Sequence, residues 1–358
     1  MDSHNFWKDK PVGLGHENSP ISVNILSHLK AYELSKDYTI DYIQSEDDVS
    51  QVINLIDEHY ICSTDGSVKL LYPSKFLKWY IYYDTQNSDN VIIKHLNKII
   101  GFVHGKTFLL NMNGKVLNVL GINFLCVHRN HRKMQLANIM IEEITKKGLI
   151  RGLQVGIFTG SKELPFKFSD VRFYHRPINL RKLVDMDYLS KKIFFNNLLY
   201  FEIKKKERRG TRRMVQQDLE EVQRLLKSEQ KIHEVFTLDQ LQSLFLMDNK
   251  IYSYVYENRS VKEFFSFYEL NTLFKDGSRI KTAHLYYWSS DNPALMIEDC
   301  LVICKRLGYD LLNSTNISNN YKFLNGCGFL PGTGKINYYL YNYKSDVVER
   351  EEINYIMF

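Results

Sequence analysis

One order of elements is written twice in this chain, and a duplicated unit constrains the fold more than any single motif. The first copy starts with an alternating apolar strand at residues 38–43 and helical spacing at 47–59 and 73–80. It continues with a hairpin at 91–94 and 99–110, a long strand at 115–127, a helix reaching 147 and a short buried strand at 153–158. The order is β-α-α-β-β-β-α-β. After a basic run at 204–213 the same order returns. Strand and helix fall at 211–215 and 219–226, a hairpin at 251–256 and 263–270, and a long strand at 281–288. A helix at 296–307 and a buried strand at 309–313 complete the copy. Two copies of one α/β unit are predicted, with a boundary near residue 203. A helix-like patch at 21–32 precedes the first copy.

The 358 residues, 44% of them apolar, can bury a full core as two domains or one large duplicated one. The net charge of +6 favours an anionic partner only weakly, because acidic residues are nearly as numerous as basic ones. The run KKKERRGTRR at 204–213 reads as a solvated linker; as a nucleic-acid site it lacks interleaved aromatics, so no specific nucleic acid is expected. Five cysteines, without a CxxC pair, fit a reduced compartment, and Cys300 and Cys304 share a helix face as packing residues rather than metal ligands. No metal is expected. No apolar run approaches the roughly 18 residues of a membrane span, and the N-terminus has no secretion signal, so a cytoplasmic monomer is expected.

Residues 121–138, GINFLCVHRNHRKMQLAN, run from an apolar strand through a basic turn into a periodic helix. Such a turn sets backbone N–H groups and positive charge against a phosphorylated ligand, or is simply a surface connection. At the other end of the chain, residues 353–358 are mostly apolar. Termini normally fray in water, so this one is expected to dock.

The segments FWKDKPV at 6–12, INFLCVH at 122–128, RFYHRPINLRKL at 172–183, FFSFYEL at 264–270 and YYLYNY at 338–343 resemble the signature segments of eukaryotic N-myristoyltransferases. The resemblance covers nearly the whole chain. It implies an α/β (α+β) architecture, a tandem duplicated GNAT acyltransferase fold with a central mixed, saddle-like sheet and pseudo-twofold symmetry. Residues 1–203 are then the myristoyl-CoA-binding half with the oxyanion hole. Residues 204–358 supply the peptide groove and the catalytic C-terminus. The implied reaction moves myristate from myristoyl-CoA, the acyl-donor substrate, to the amine of an N-terminal glycine on a nascent or cleaved protein. Alternatives are transfer to lysine, another acyl length, or a catalytically silent relative that binds acyl-CoA or peptide.

The resemblance also implies roles residue by residue. Backbone N–H groups of Phe124 and Leu125 correspond to the oxyanion donors, and the α-carboxylate of Phe358 to the base for the glycine ammonium. Thr159 matches a threonine near the amine. Cys126 is read as packing or a CoA-side contact, since no acyl-enzyme is needed. The phosphate loop of the family falls on Arg132, Lys133, Met134, Gln135, Leu136, Ala137 and Asn138. There a Lys and an Arg of the family pattern have become Met134 and Gln135. Phe6 and Trp7 match the aromatic pair on the CoA side, with Tyr60, Val127 and Thr145 as further donor contacts.

Peptide contacts fall on Asp65, Val68, Leu70, Tyr72, Asn123, Phe173, His175, Tyr188, Leu285, Asn313 and Thr333. Here the chain departs most. Only Asp65 keeps a carboxylate in the loop after Tyr60, and Thr333 stands where an Asp is common. Val68 and Leu70 replace phenylalanines, and Leu285 replaces a serine that contacts a substrate hydroxyl. These changes are expected to relax the preference for a downstream basic residue and for the usual M-G-x-x-x-[ST] pattern. Gly121 stands where a Glu usually precedes the motif, with no physical account in the sequence alone.

Overall fold

The computed structural model describes residues 6–63, 65–83, 88–191, 200–247 and 250–358; Thr64 of the loop after Tyr60 lies outside them. The first half contains β1 (Tyr38–Asp41), α1 (Glu46–His59), β2 (Ser88–His95), β3 (Lys98–Met112), β4 (Lys115–Val127), α2 (Leu136–Ile150), β5 (Val155–Gly160) and β6 (Ser169–Pro177). Local chemistry explains these elements. Ser45 Oγ caps α1 by accepting the Asp48 N–H at 3.1 Å, three acids fill its first turn, and Val49, Val52, Ile53 and Ile56 form its buried face.

The second half contains β7 (Thr211–Arg213), α3 (Leu219–Leu225), β8 (Ile232–Val235), β9 (Ile251–Asn258), β10 (Ser260–Glu269), β11 (Thr282–Ser289), α4 (Pro293–Arg306), β12 (Leu311–Thr315), β13 (Leu330–Tyr341) and β14 (Ile353–Asn354). Among the described residues, one large mixed sheet runs β14-β8-β3-β4-β5-β13-β6-β12-β11-β10-β9-β7, with β2 bridging β3 and β1. The two halves correspond strand for strand. β1 to β4 match β7, β9, β10 and β11, α2 matches α4, and β5, parallel to β4, matches β12, parallel to β11.

The last strands are exchanged between the halves. β6 follows β5 in sequence but pairs with β12, while β13 follows β12 and pairs with β5. β6 and β13 then pair with each other along the seam. Neither β6 nor β8 was foreseen as a strand, because the polar positions in RFYHR and IHEV break simple alternation.

Each half carries a bulge at the same place. In β4, Phe124 and Leu125 lie between the pairs Phe102–Cys126 and His104–Asn123, so two residues oppose Val103 alone. In β11, Tyr286 and Tyr287 oppose Ser266 in the same way. The second bulge is plugged: Ser266 Oγ accepts the Tyr287 N–H at 3.1 Å and donates to the Tyr287 carbonyl at 2.9 Å. Val103 offers no hydroxyl to the first. Phe124 there sits at φ +52°, a left-handed backbone for a fully buried phenylalanine.

Several expectations need correction. Residues 204–213 are not a solvated linker: Arg208 binds Glu263 and Asp299, Arg212 binds Asp218 and Glu257, and residues 211–213 are a sheet strand. The patch at 21–32 holds only one turn, Ile25–His28, whose Asn24 makes no side-chain cap. The helix expected at 73–80 is regular over Ser74–Lys78 and widens to a π turn at Trp79–Tyr83. Cys300 and Cys304 are buried 4.0 Å apart on α4, as packing residues.

Candidate active site

A cavity of about 1030 Å³ opens where β4, β5 and the seam converge. One end is apolar, walled by Ile141, Ile144 and Gly148 of α2 with Leu153. The other is mixed, lined by Phe173, Tyr268, His284 and Thr333. Asn123, Phe124, Leu125, Thr159 and Phe358 line the same cavity, together with Trp7, Tyr60, Leu70, Tyr72 and Thr145. Residues distant in sequence are thus gathered by the bulge, by the strand exchange that places β13 beside β5, and by the docked tail.

The tail is anchored along its length. Ile353 and Asn354 pair in parallel with Ile232 and His233 of β8. Tyr338 donates its hydroxyl to the Tyr355 carbonyl at 3.0 Å, and the Ile356 N–H donates to the Tyr287 hydroxyl at 3.2 Å. The Phe358 ring sits among Phe76, Tyr80, Tyr268 and Tyr286 at centroid distances of 4.9, 5.1, 5.0 and 4.7 Å. Such edge and tilted contacts add to the burial of a large ring.

Gly121 now has a physical reason. A Cβ at that position would lie 2.7 Å from the Phe108 ring and 3.0 Å from the Tyr355 hydroxyl. Phe108 and Tyr355 stack at 4.9 Å and 15° in the space a side chain would need. The absence of a side chain at 121 therefore lets the tail lie against β3.

At the centre, Asn123 Nδ2 donates to the Phe358 oxygen at 2.8 Å. Its Oδ1 accepts the Phe124 N–H at 2.9 Å and the Tyr60 hydroxyl at 3.2 Å. Burial pushes Tyr60 up to about 12, so its hydroxyl stays a donor at neutral pH. Thr159 approaches the Met357 sulfur at 3.5 Å.

The residues expected to form a phosphate loop do not line the cavity. A short turn, Arg129–His131, leads to exposed Arg132, Lys133, Met134 and Gln135, and α2 begins at Leu136. Lys133 and Gln135 have φ of +69° and +59°, which tightens the turn before the helix N-terminus. Arg132 is committed to the chain: Nη2 donates to the His59 carbonyl at 2.9 Å and Nε to the Val127 carbonyl at 3.2 Å. Leu136 is buried in the core, while Val127, Ala137 and Asn138 are half-buried. Phe6 packs edge-on against Trp7, which stacks on Phe158 at 5.1 Å.

Four of the expected site residues, Cys126, Asp65, Leu285 and Val68, do not line the cavity. Cys126 is buried with its thiol directed at the Leu55 carbonyl, and burial pushes it up to about 12, so it is a packing residue. Asp65 is occupied within its own loop: it accepts from the Ser63 and Ser67 hydroxyls at 2.7 and 2.8 Å and from the Ser67 N–H at 3.0 Å. Those donors hold its carboxyl at about 2. Leu285 faces the core behind β11, packed against α4, because strand alternation turns it away from the cavity. Val68 pairs with Phe274 in a small separate sheet and does not line the cavity.

His284, one residue before Leu285, takes the cavity face instead and was missed. The period-2 pattern of residues 281–288 carried that signal, since 284 and 285 must point to opposite faces. His284 belongs to a polar chain: His175 Nδ1–H donates to Asn313 Oδ1 at 2.7 Å, and Asn313 Nδ2 donates to His284 Nε2 at 3.3 Å. Burial lowers His284 to about 3, so the ring is neutral and its proton lies on Nδ1. Tyr188 stands half-exposed with its ring edge-on to His175 at 6.4 Å. Among the described residues no group of three or more His, Cys, Asp or Glu is placed to hold a metal, and no helix is long and apolar enough to cross a membrane.

Two family models match, the N-terminal domain of myristoyl-CoA:protein N-myristoyltransferase over residues 23–171 and its C-terminal domain over residues 195–355. A probable glycylpeptide N-tetradecanoyltransferase of Caenorhabditis elegans is 28% identical, covering 99% of this chain and 86% of its own. The glycylpeptide N-tetradecanoyltransferase of Plasmodium falciparum is 27% identical over 95% of this chain and 90% of its own. In fold, the chain is similar to Saccharomyces cerevisiae N-myristoyltransferase with bound myristoyl-CoA, at a TM-score of 0.90, 23% identity and full coverage of both chains. With both halves matched in order and the relatives covered almost end to end, the chain belongs to the myristoyl-CoA:protein N-myristoyltransferase family.

Proposed function

We propose that this chain transfers the tetradecanoyl group of myristoyl-CoA to the α-amine of an N-terminal glycine, with the Phe124–Leu125 bulge as oxyanion hole and the Phe358 carboxylate as base. The observation that carries the reading is the position of Asn123. One side chain touches both the bulge, at Phe124 N–H, and the last residue, at the Phe358 oxygen.

An N-terminal ammonium has an ordinary pKa of about 7.7–8.0, so a carboxylate close by needs to accept only one proton to free the amine. Thr159 lies beside the tail and passes that proton. The amine nitrogen bonds to the thioester carbonyl carbon, and the oxygen charge that develops meets the Leu125 N–H, which opposes Val103 rather than a hydroxyl plug, while the Phe124 N–H donates to Asn123 Oδ1 and fixes the bulge. The C–S bond then breaks, and the leaving thiolate takes up the second proton, which the nitrogen gives up on becoming an amide; the first stays with the base until released to solvent. The neutral nucleophile requires no cysteine, consistent with the inert Cys126 thiol.

The apolar end of the cavity, behind Thr145, suits the acyl chain, each buried methylene contributing about 0.8 kcal/mol. This assigns the donor to the first half and the peptide to the groove at Phe173, His284 and Thr333, a division supported by the cavity's two ends. The groove offers the peptide neutral His284 and Thr333 and the cations Lys162 and Lys335, with Asp65 occupied in its own loop. We therefore assign substrates without a requirement for a basic residue downstream of the glycine. A single-turnover assay with myristoyl-CoA and Gly-starting peptides tests the reading. Mass spectrometry must find the added acyl group on the α-amine of glycine; acylation of lysine instead sinks it.

A further inference from the structure

A second polar chain holds the tail, and the transfer chemistry makes no use of it. The Ile356 N–H donates to the Tyr287 hydroxyl at 3.2 Å, and that hydroxyl donates to Glu234 Oε2 at 2.7 Å. Tyr287 is only 2% exposed and belongs to the plugged bulge of the second half, so its backbone is fixed as well. Glu234 lies on β8, the strand that pairs with the tail's own β14 on one side and with β3 on the other. Only Met357 lies between Ile356 and Phe358, whose oxygen Asn123 holds. A dipeptide anchored at both ends has little freedom left; released at Ile356, it keeps the Asn123 bond, the weak Thr159 contact with the Met357 sulfur and the packing of its side chains.

We propose that Glu234, acting through Tyr287, is a positioning residue for the transfer: it fixes the backbone at Ile356 and thereby sets where the Phe358 carboxylate lies. The proposal rests on the reading of that carboxylate as the base. Burial pushes Glu234 up to about 7, opposed by the Tyr287 hydrogen bond and the Lys106 charge. The groups facing it are Tyr286 and Tyr287 from β11, Lys106 from β3 and Tyr355 from the tail, and the three tyrosines stay protonated through neutral pH. An ionised carboxylate can only accept, whereas a protonated carboxyl is a weaker acceptor for the tyrosine hydroxyl. The hold on Ile356 therefore tightens as pH rises through about 7.

The test uses the full chain with two isosteric variants, Tyr287→Phe and Glu234→Gln, read by hydrogen exchange of the C-terminal peptide and by kcat. Unchanged myristoyl-CoA affinity certifies the fold of each. Tyr287→Phe should speed exchange at the Ile356 amide and lower kcat, each by about tenfold. Glu234→Gln keeps an acceptor but should erase the inflection near pH 7 from the wild-type exchange profile. Native exchange in Tyr287→Phe, or a surviving inflection in Glu234→Gln, overturns the clamp while leaving the base assignment intact. Faster exchange with unchanged kcat overturns the positioning role, and the base assignment is then judged by whether removal of Phe358 abolishes turnover.

Discussion

Asn123 holds Phe358 directly, Nδ2 to the terminal residue's oxygen at 2.8 Å, while its Oδ1 holds the Phe124 N–H at 2.9 Å. The bulge proposed as oxyanion hole and the proposed base therefore share one carboxamide, and a change there must be felt by both. Asn123→Leu should lower kcat by about a hundredfold, since two buried polar contacts lose their partner. Asn123→Asp keeps the shape but sets carboxylate against carboxylate. It should raise the affinity of that pair for a proton and move the pH–rate profile to higher pH. A kcat profile that does not move would show that the two oxygens are not in contact during turnover.

Removal of Phe358 takes away the proposed base and the ring seated among Phe76, Tyr80, Tyr268 and Tyr286. The apolar wall of the cavity at Ile141, Ile144 and Gly148, proposed for the acyl chain, is left in place. Turnover should fall by about a thousandfold with myristoyl-CoA binding retained. Retained activity in the deletion variant would falsify the base assignment.

The exposed turn before α2 carries Met134 and Gln135 beside Arg132, whose guanidinium is already spent on the His59 and Val127 carbonyls. Restoring charge with Met134→Lys and Gln135→Arg should tighten CoA binding by up to about fivefold each at low salt and steepen its salt dependence. Titration of CoA at low and high ionic strength reads both effects.

Three buried histidines set the acid limit of the fold. Burial is the main cause in each case, lowering His59 to about 4 and His104 and His284 to about 3. Their folded values lie below the unfolded value of about 6.5, so the unfolded chain binds more protons in that interval. Stability is fully present above about pH 6.5 and is lost progressively as pH falls towards 3. Glu234 runs the other way. Its folded value near 7 lies above the ordinary 4.5, so its contribution declines as pH rises between them. Thermal unfolding across pH 4–8 should show the histidine loss, reduced in His104→Gln, and a gain for Glu234→Gln relative to wild type that grows towards pH 7.

The duplicated order was legible because strand and helix periods differ, and α1, α2, β4, β9, β10 and α4 fall near their predicted positions. The exchange of β6 and β13 was not, since pairing across the seam depends on contacts that no local pattern encodes. The bulge at Phe124 was equally hidden: Phe124 looks like any core strand residue, and only the register against Val103 shows the extra residue. Motif matching placed Leu285 in the groove, yet strand alternation gives that face to His284. The charges of 204–213 were misread because a sequence shows like charges together and not the carboxylates, Glu263, Asp299 and Asp218, that meet them in the fold.

The N-terminal strap supplies a last prediction. Lys10 and Glu142 form an ion pair at 6% and 2% exposure, and Lys10 also donates to the His28 carbonyl at 2.6 Å. This contact ties residues 6–28 to α2, and Trp7 on the same strap lines the cavity. Lys10→Met leaves a buried carboxylate without its partner and should cost about 3 kcal/mol. The double variant Lys10→Met with Glu142→Leu removes the orphaned charge and should recover most of that stability, because an apolar pair of similar volume can replace a buried ion pair. If the pair serves only stability, donor release will be native in the double variant. If it latches the strap over the acyl chain, myristoyl-CoA will dissociate faster even where stability is restored. The second outcome is expected, since hydrophobic contact lacks the directional hold of a lysine shared between a carboxylate and a carbonyl.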